Sequence, residues 1–169
     1  MSSKIYFISD LHLGHKRILE FGQRNHSDIE NMHIKMVEEW NEKVRKQKDI
    51  VWVLGDVAME PKALEWLDYM NGQKRLILGN HDTMDLGLYK KYFKEVHAFS
   101  KGYKGMVLTH IPIHPNELDT RFNWNWNIHG HIHHPERNNL GDRYFNVNVD
   151  ILGYQPICLE ELREKLPDV

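Results

Sequence analysis

The sequence predicts an α/β fold with parallel pairing in its first half, on three observations. Short apolar runs recur, Gly, Asp or Asn bound them, and stretches with helical periodicity lie between the first ones. The runs are Ile5-Tyr6-Phe7-Ile8, Ile50-Val51-Trp52-Val53-Leu54, Leu76-Ile77-Leu78 and Met106-Val107-Leu108. Such runs read as buried strands.

Between the first two runs, Ser27-Asp28-Ile29-Glu30 reads as a capping box. Behind it Ile29, Met32, Met36, Val37, Trp40 and Val44 recur at helical spacing, the buried stripe of an amphipathic helix. Pro61 suits the first position of a second crossover helix, Leu64, Leu67 and Met70 share one face, and Gly72 stands beyond its end. Strand, helix, strand, helix, strand is the order of parallel crossover units. The later chain changes character. Phe122, Trp124, Trp126 and Ile128 alternate with polar residues, as do Phe145, Val147 and Val149, which suits half-buried strands, and Leu159 to Leu166 suit a closing helix.

With 169 residues, 41% of them hydrophobic, one domain over residues 1–169 with a real core is expected. Lys and Arg number 22 against 24 Asp and Glu, for a formal net charge of −2, so no bulk attraction to nucleic acid is encoded. The basic residues of Lys43 to Lys48 and Lys90 to Lys94 are interleaved with acidic and apolar ones, as on solvated helix faces. The single cysteine, Cys158, excludes an internal disulfide, the start MSSKIYFISD lacks the layout of a secretory leader, and the apolar runs are too short to span a bilayer. A cytoplasmic protein without membrane association is therefore expected.

Ligands of open α/β sheets bind beyond the carboxyl ends of the strands. Here the first run is followed by Asp10-Leu11-His12, the second by Gly55-Asp56, the third by Gly79-Asn80-His81-Asp82, and the fourth by Thr109-His110. A fifth segment ends in His129-Gly130-His131-Ile132-His133, and six of the 12 histidines lie between His110 and His134. Singly, each fragment reads as a turn or a surface histidine. Five oxygen- or imidazole-bearing fragments in series, each at a strand end, instead point to a metal site. Donors of this mixture without thiolate suit Mn²⁺, Fe, Zn²⁺ or Ni²⁺ better than Mg²⁺.

The ordered set Asp-x-His, Gly-Asp, Gly-Asn-His-Asp, His, Gly-His-x-His resembles the calcineurin-like metallophosphoesterase superfamily from Asp10 to His133. The small bacterial and phage phosphoesterases of that superfamily also begin with a similar Asp-x-His-x-Gly-His and end with a similar Asn-Val-x-Val-Asp, here Asn146 to Asp150. The resemblance implies a four-layer αββα sandwich, two mixed β-sheets flanked by helices, with the metal site at strand C-terminal ends. It implies two divalent metal ions, Mn²⁺ being the first expectation. Asp10, His12 and His133 would hold one, Asn80, His110 and His131 the other, and Asp56 would bridge. The implied activity is hydrolysis of a small phosphodiester or phosphomonoester, nucleotide-type esters included, by a hydroxide bridging the ions, with His81 as general acid. A nuclease acting on DNA or RNA, or a non-catalytic interaction module on the same fold, are the alternatives.

Protein Ser/Thr phosphatases extend their Gly-Asp motif with an aspartate and an arginine, whereas this chain reads Gly55-Asp56-Val57-Ala58-Met59-Glu60. The large nucleases of the family add a DNA-binding domain for which this length leaves no room. A small phosphoester is therefore the expected partner, without strong nucleic-acid binding. His15, Arg24 and Arg121 are candidates to line the mouth of the site and bind substrate, with a solvated loop or surface ion pair as the competing reading. Arg17 stands in the same position. Asp82 is a candidate to orient His81, although the relatives' usual aspartate position is Met59 here. Trp124 and Trp126 could stack on a nucleobase, although their spacing favours a core face. His129 reads as a core residue or a support behind the ligands, and His114 and His134 as loop residues.

Overall fold

The computed structural model describes residues 2–21, 24–118, 122–137 and 139–167. In chain order its elements are β1 (Ile5–Ile8), α1 (Ile18–Phe21), α2 (Ile29–Lys43), β2 (Ile50–Leu54), β3 (Gln73–Ile77), α3 (Leu86–Tyr89), β4 (Glu95–His97), β5 (Ser100–Tyr103), β6 (Met106–Thr109), β7 (Trp126–His129), β8 (Tyr144–Asn146), α4 (Val149–Leu152), β9 (Ile157–Cys158) and α5 (Leu159–Lys165). Pro61–Tyr69, Pro115–Glu117 and Pro135–Arg137 form 3₁₀ helices.

The first sheet has the order β4-β3-β2-β1-β9, with the first four strands parallel and β9 antiparallel to β1. The second has the order β5-β6-β7-β8, with an antiparallel β5-β6 pair and parallel pairs beyond it. Successive side chains of a strand face opposite sides. Tyr6, Ile8, Val51, Val53 and Leu76 accordingly pack on Met36, Trp40, Leu64 and Leu67 in one apolar cluster. Their neighbours Phe7, Trp52, Leu54 and Ile77 meet Met106, Leu108 and Ile128 of the second sheet, with Leu159 and Leu162 of α5. The central strands β1 and β2 are thus buried on both faces, which is why they read as unbroken apolar runs. Two mixed sheets packed together and flanked by helices are the predicted arrangement.

Four local expectations are corrected. The cap of α2 is Asp28, one residue later than a box headed by Ser27 predicts; its carboxylate accepts from the Asn31 amide at 2.8 Å, while the Ser27 hydroxyl donates to Asp28. A carboxylate at a helix N-terminus also meets the positive end of the dipole. The crossover after Pro61 is a 3₁₀ helix. The spacing of three between Leu64, Leu67 and Met70 matches its three residues per turn. The strand expected from Phe122 begins only at Trp126, because Asn123 takes a left-handed φ of 53° that breaks the extended chain. The last alternating segment ends as a strand at Asn146. Asn148 then caps α4 by accepting from the Asp150 amide at 2.8 Å, so Val149 opens a helix. No helix among the described residues is long and apolar enough to cross a membrane.

Candidate metal centre

The two sheets meet where β1 ends. The Ser9 amide donates to the Val147 carbonyl, and Ser9 pairs with Asn148 across a parallel bridge. Beyond that point the chains following β1 and β2 stay hydrogen-bonded, Asp10 to Gly55, His12 to Asp56 and Leu13 to Val57, at 2.9, 3.0 and 2.9 Å. They are nonetheless sharply turned. Asp10, His12, Asp56 and His131 have φ of 60°, 51°, 55° and 68°, the left-handed region that costs a side chain about 1–2 kcal/mol each. Among the described residues four of the seven such positions are proposed ligands, and such strain concentrates at functional sites.

Two glycines let these turns close. A Cβ on Gly79 would collide with the Asp56 carboxylate, and one on Gly130 would collide with Ser9 Oγ and Asp10 Oδ2. The Gly-Asn and Gly-His pairs of the sequence therefore reflect close backbone approach as much as turn conformation.

Seven sequence-predicted ligands converge from five strand ends. Ligand atoms of Asp10, His12 and His133 lie within 4.8 Å of one another, as do those of Asp56, His110 and His131. Asn80 joins the second group, its Oδ1 being 3.0 Å from His110 Nε2. Asp56 stands between the groups: the same Oδ2 is 3.6 Å from His12 Nε2 and 3.3 Å from His110 Nε2. His81 lies alongside, its amide donating to Asp56 Oδ1 at 2.9 Å and its ring 5.5 Å from that of His12. His15 is on the same side, with its ring 5.4 Å from that of His12.

The electrostatics suit cations. Burial, then the Arg24 guanidinium, push His12 down to about 3, so its imidazole is neutral with a lone pair to give. Both of its ring nitrogens are buried without a hydrogen-bond partner. An orphaned buried polar group costs about 1–3 kcal/mol, and a bound cation would relieve that cost. Burial opposes ionisation of Asp56, yet its hydrogen bond and charge interaction with His110 hold it at about 2. Burial also works against a proton on His110, but the hydrogen bond with Asp56 and the charges of Asp10 and Asp56 raise it to about 9. The carboxylates that attract that proton would equally attract a dication in its place. The residues thus fit divalent ions of the imidazole-binding type.

A family model described as the calcineurin-like phosphoesterase superfamily domain matches residues 4–149. The chain belongs to that superfamily. Among its relatives, an uncharacterized protein of Methanocaldococcus jannaschii is 33% identical, the match covering 93% of this chain and 88% of the relative. The Gene 66 protein of Mycobacterium phage L5 is 32% identical over 89% of this chain and 88% of its own. A crystal structure of a protein of unknown function from Aquifex aeolicus superposes with a TM-score of 0.79 at 28% identity, covering 96% of this chain and 99% of that one. Metal-dependent phosphoester hydrolysis is the chemistry of this superfamily, and the two Asp/His groups are where this member can hold the ions.

Two expectations about superfamily residues are corrected by packing. Arg24 does not line the mouth. It is 2% exposed, and its guanidinium donates to the Leu11 carbonyl at 2.9 Å, the Asp10 carbonyl at 2.7 Å and the Asp150 carboxylate at 2.5 Å. Asp82 does not orient His81; its carboxylate accepts from the amides of Asp56, Val57 and Gly79 at 2.8, 2.9 and 2.8 Å, stapling the two loops together. Among the described residues no hydrogen bond holds the His81 ring. Arg121 lies outside the described residues. Arg17 is exposed beside Glu20, His134 pairs with Glu136, and His114 caps the turn at Pro115. His129 is a core residue, Nδ1 bonded to the Gly130 carbonyl at 2.8 Å.

Asp150 is the residue that sequence reasoning missed. Its Oδ2 accepts from His133 Nδ1 at 2.5 Å and its Oδ1 from Arg24. One buried carboxylate thereby orients His133 and, through Arg24, the Asp10-Leu11 backbone, two arms of the same group. Its signal was the acid closing the Asn-Val-x-Val-Asp stretch. Asp150→Asn is expected to weaken divalent-ion binding at the Asp10, His12 and His133 group about 10–100-fold, as loss of a carboxylate behind a ligating histidine does; metal titration of the purified variant checks this. Asp82→Ala, which leaves three amides without their acceptor, should lower stability by about 3 kcal/mol or more, read from urea unfolding of the metal-free protein.

Proposed function

We propose that this chain is a dinuclear metal-dependent hydrolase of small phosphodiesters or phosphomonoesters, nucleotide-type esters included, with His81 as general acid. The observation that carries the reading is the single Asp56 oxygen set between His12 and His110, with His81 beside it. Asp10, His12 and His133 would hold one ion, Asn80, His110 and His131 the other, and Asp56 both. Bound there, divalent ions would acidify a water and neutralise phosphoryl oxygens.

The residues themselves do the rest. Two aspartates offset two of four positive charges, leaving the centre attractive to a phosphate. The exposed His81 imidazole has room to protonate the departing alkoxide, and its backbone is fixed by Asp56. His15, on the same side, is a contact for the ester.

Manganese is proposed as the preferred ion and a small diester as the preferred substrate, slightly ahead of monoesters, because the open cationic centre tolerates a singly charged diester. A hydrolysis screen of monoesters, diesters and cyclic nucleotides, with Mn²⁺, Zn²⁺, Ni²⁺, Fe²⁺ and Mg²⁺ in turn, is expected to give most turnover with Mn²⁺ and diesters. Strong activity on phosphoproteins with none on small esters would overturn it.

A further inference from the structure

We propose that the apolar cavity beside the second metal group binds the flat aromatic ring of the ester, as a nucleobase presents it; the inference rests on the phosphoesterase reading. The cavity, about 480 Å³, is lined by Phe99, Val107, Ile111, Ile113, Phe122 and Trp124. That volume lies in the range of small-molecule sites.

Three things single it out. First, among the described residues Phe99, Ile111 and Phe122 are 67%, 48% and 55% exposed, so three of the eight large apolar side chains left open to solvent border one cavity. A cluster of that kind marks a binding surface more than scattered exposure does. Second, it lies next to the metal centre. A smaller cavity of about 190 Å³ is lined by Gly79, Asn80 and His110, and it shares Phe99 and Ile111 with the larger one. A phosphate held at Asn80 and His110 thus has the aromatic cavity as its neighbour.

Third, the walls are held in place. Phe122 and Trp124 stack with ring centroids 4.8 Å apart at 27°. The Trp124 carbonyl accepts from Arg143 at 3.1 Å. Asn127, fully buried under the cavity, accepts from the Ile113 amide at 3.0 Å and donates to the Val107 carbonyl and Thr109 Oγ1 at 3.1 and 2.9 Å, while Tyr144 donates to the Ile113 carbonyl at 2.8 Å. A preformed wall of aromatic faces costs little to order when a ring binds. His114 and Glu117 at the rim supply polar edges for ring heteroatoms. Trp126, by contrast, is half-buried against the core between the sheets, so the two tryptophans divide between the readings the sequence left open.

Two esters with one leaving group test the kinetics: thymidine 5′-(p-nitrophenyl phosphate) and methyl p-nitrophenyl phosphate. The ratio of their kcat/KM should be at least about 5 in the natural chain and fall toward one in Trp124→Ala and Phe99→Ala, base stacking being worth about that factor or more per base. Adenosine, which carries no phosphorus, separates the two claims: saturation transfer from protein to its adenine protons is expected in the natural chain and should vanish in both variants. Turnover of both esters at equal kcat/KM, or no transfer to adenosine, overturns the subsite and leaves the phosphoesterase reading standing. Transfer to adenosine without turnover of either ester does the reverse. Dimerisation abolished by Phe99→Ala, without adenosine binding, would assign this face to a second copy and also overturn the proposal.

Discussion

Asp56→Asn is expected to abolish the proposed dinuclear centre. A neutral amide removes one of two charges that offset two dications and replaces a carboxylate oxygen set 3.6 Å from His12 Nε2 and 3.3 Å from His110 Nε2. Outer supports of metal ligands are worth about 10–100-fold in affinity, and a residue facing both groups should exceed that for each ion. Turnover should fall at least in proportion at limiting metal. The fold should survive, because the Asp56 backbone is held by Asp82 and His12 independently of its side chain. Metal titration alongside circular dichroism separates these outcomes. A variant that keeps full metal content and near-normal turnover would show that Asp56 is not shared.

His81→Asn is the second large effect, and it should spare the metals. The side chain belongs to neither Asp/His group, and its backbone N–H bond to Asp56 is available to asparagine. Loss of a proton-transfer group lowers turnover about 10²–10⁴-fold. That loss should be largest for alkyl esters, whose alkoxide needs a proton to leave, and should shrink for nitrophenyl esters, which do not. A rate comparison across leaving groups of graded basicity reads the difference. Equal losses on good and poor leaving groups would make His81 a substrate contact instead of the acid.

Much of this was legible in the chain. β1 and β2 are buried on both faces, so Ile5–Ile8 and Ile50–Leu54 could be read from unbroken apolarity alone. The ligand fragments follow strands because a parallel sheet brings its carboxyl ends to one edge. Conformations set by tertiary contacts were not legible. Phe122 to Ile128 alternates like a strand, yet a left-handed Asn123 splits it and sends Trp124 to a cavity and Trp126 to the core. Arg24 looked solvent-facing because arginine usually is. Its partner Asp150 stands 126 residues away, and although the Asn-Val-x-Val-Asp stretch marks that acid, nothing in it pairs the acid with Arg24. Asp82 illustrates the same limit: an acid next to His81 invited a catalytic pairing, and three backbone amides claim it instead.

The central claim, two metal ions held by Asp10, His12 and His133 and by Asn80, His110 and His131 with Asp56 between, is tested most directly by elemental analysis of the protein titrated with Mn²⁺. Two ions per chain in the natural protein, and one in His110→Ala, is the expected result; saturation at one ion per chain, unchanged in His110→Ala, would contradict it.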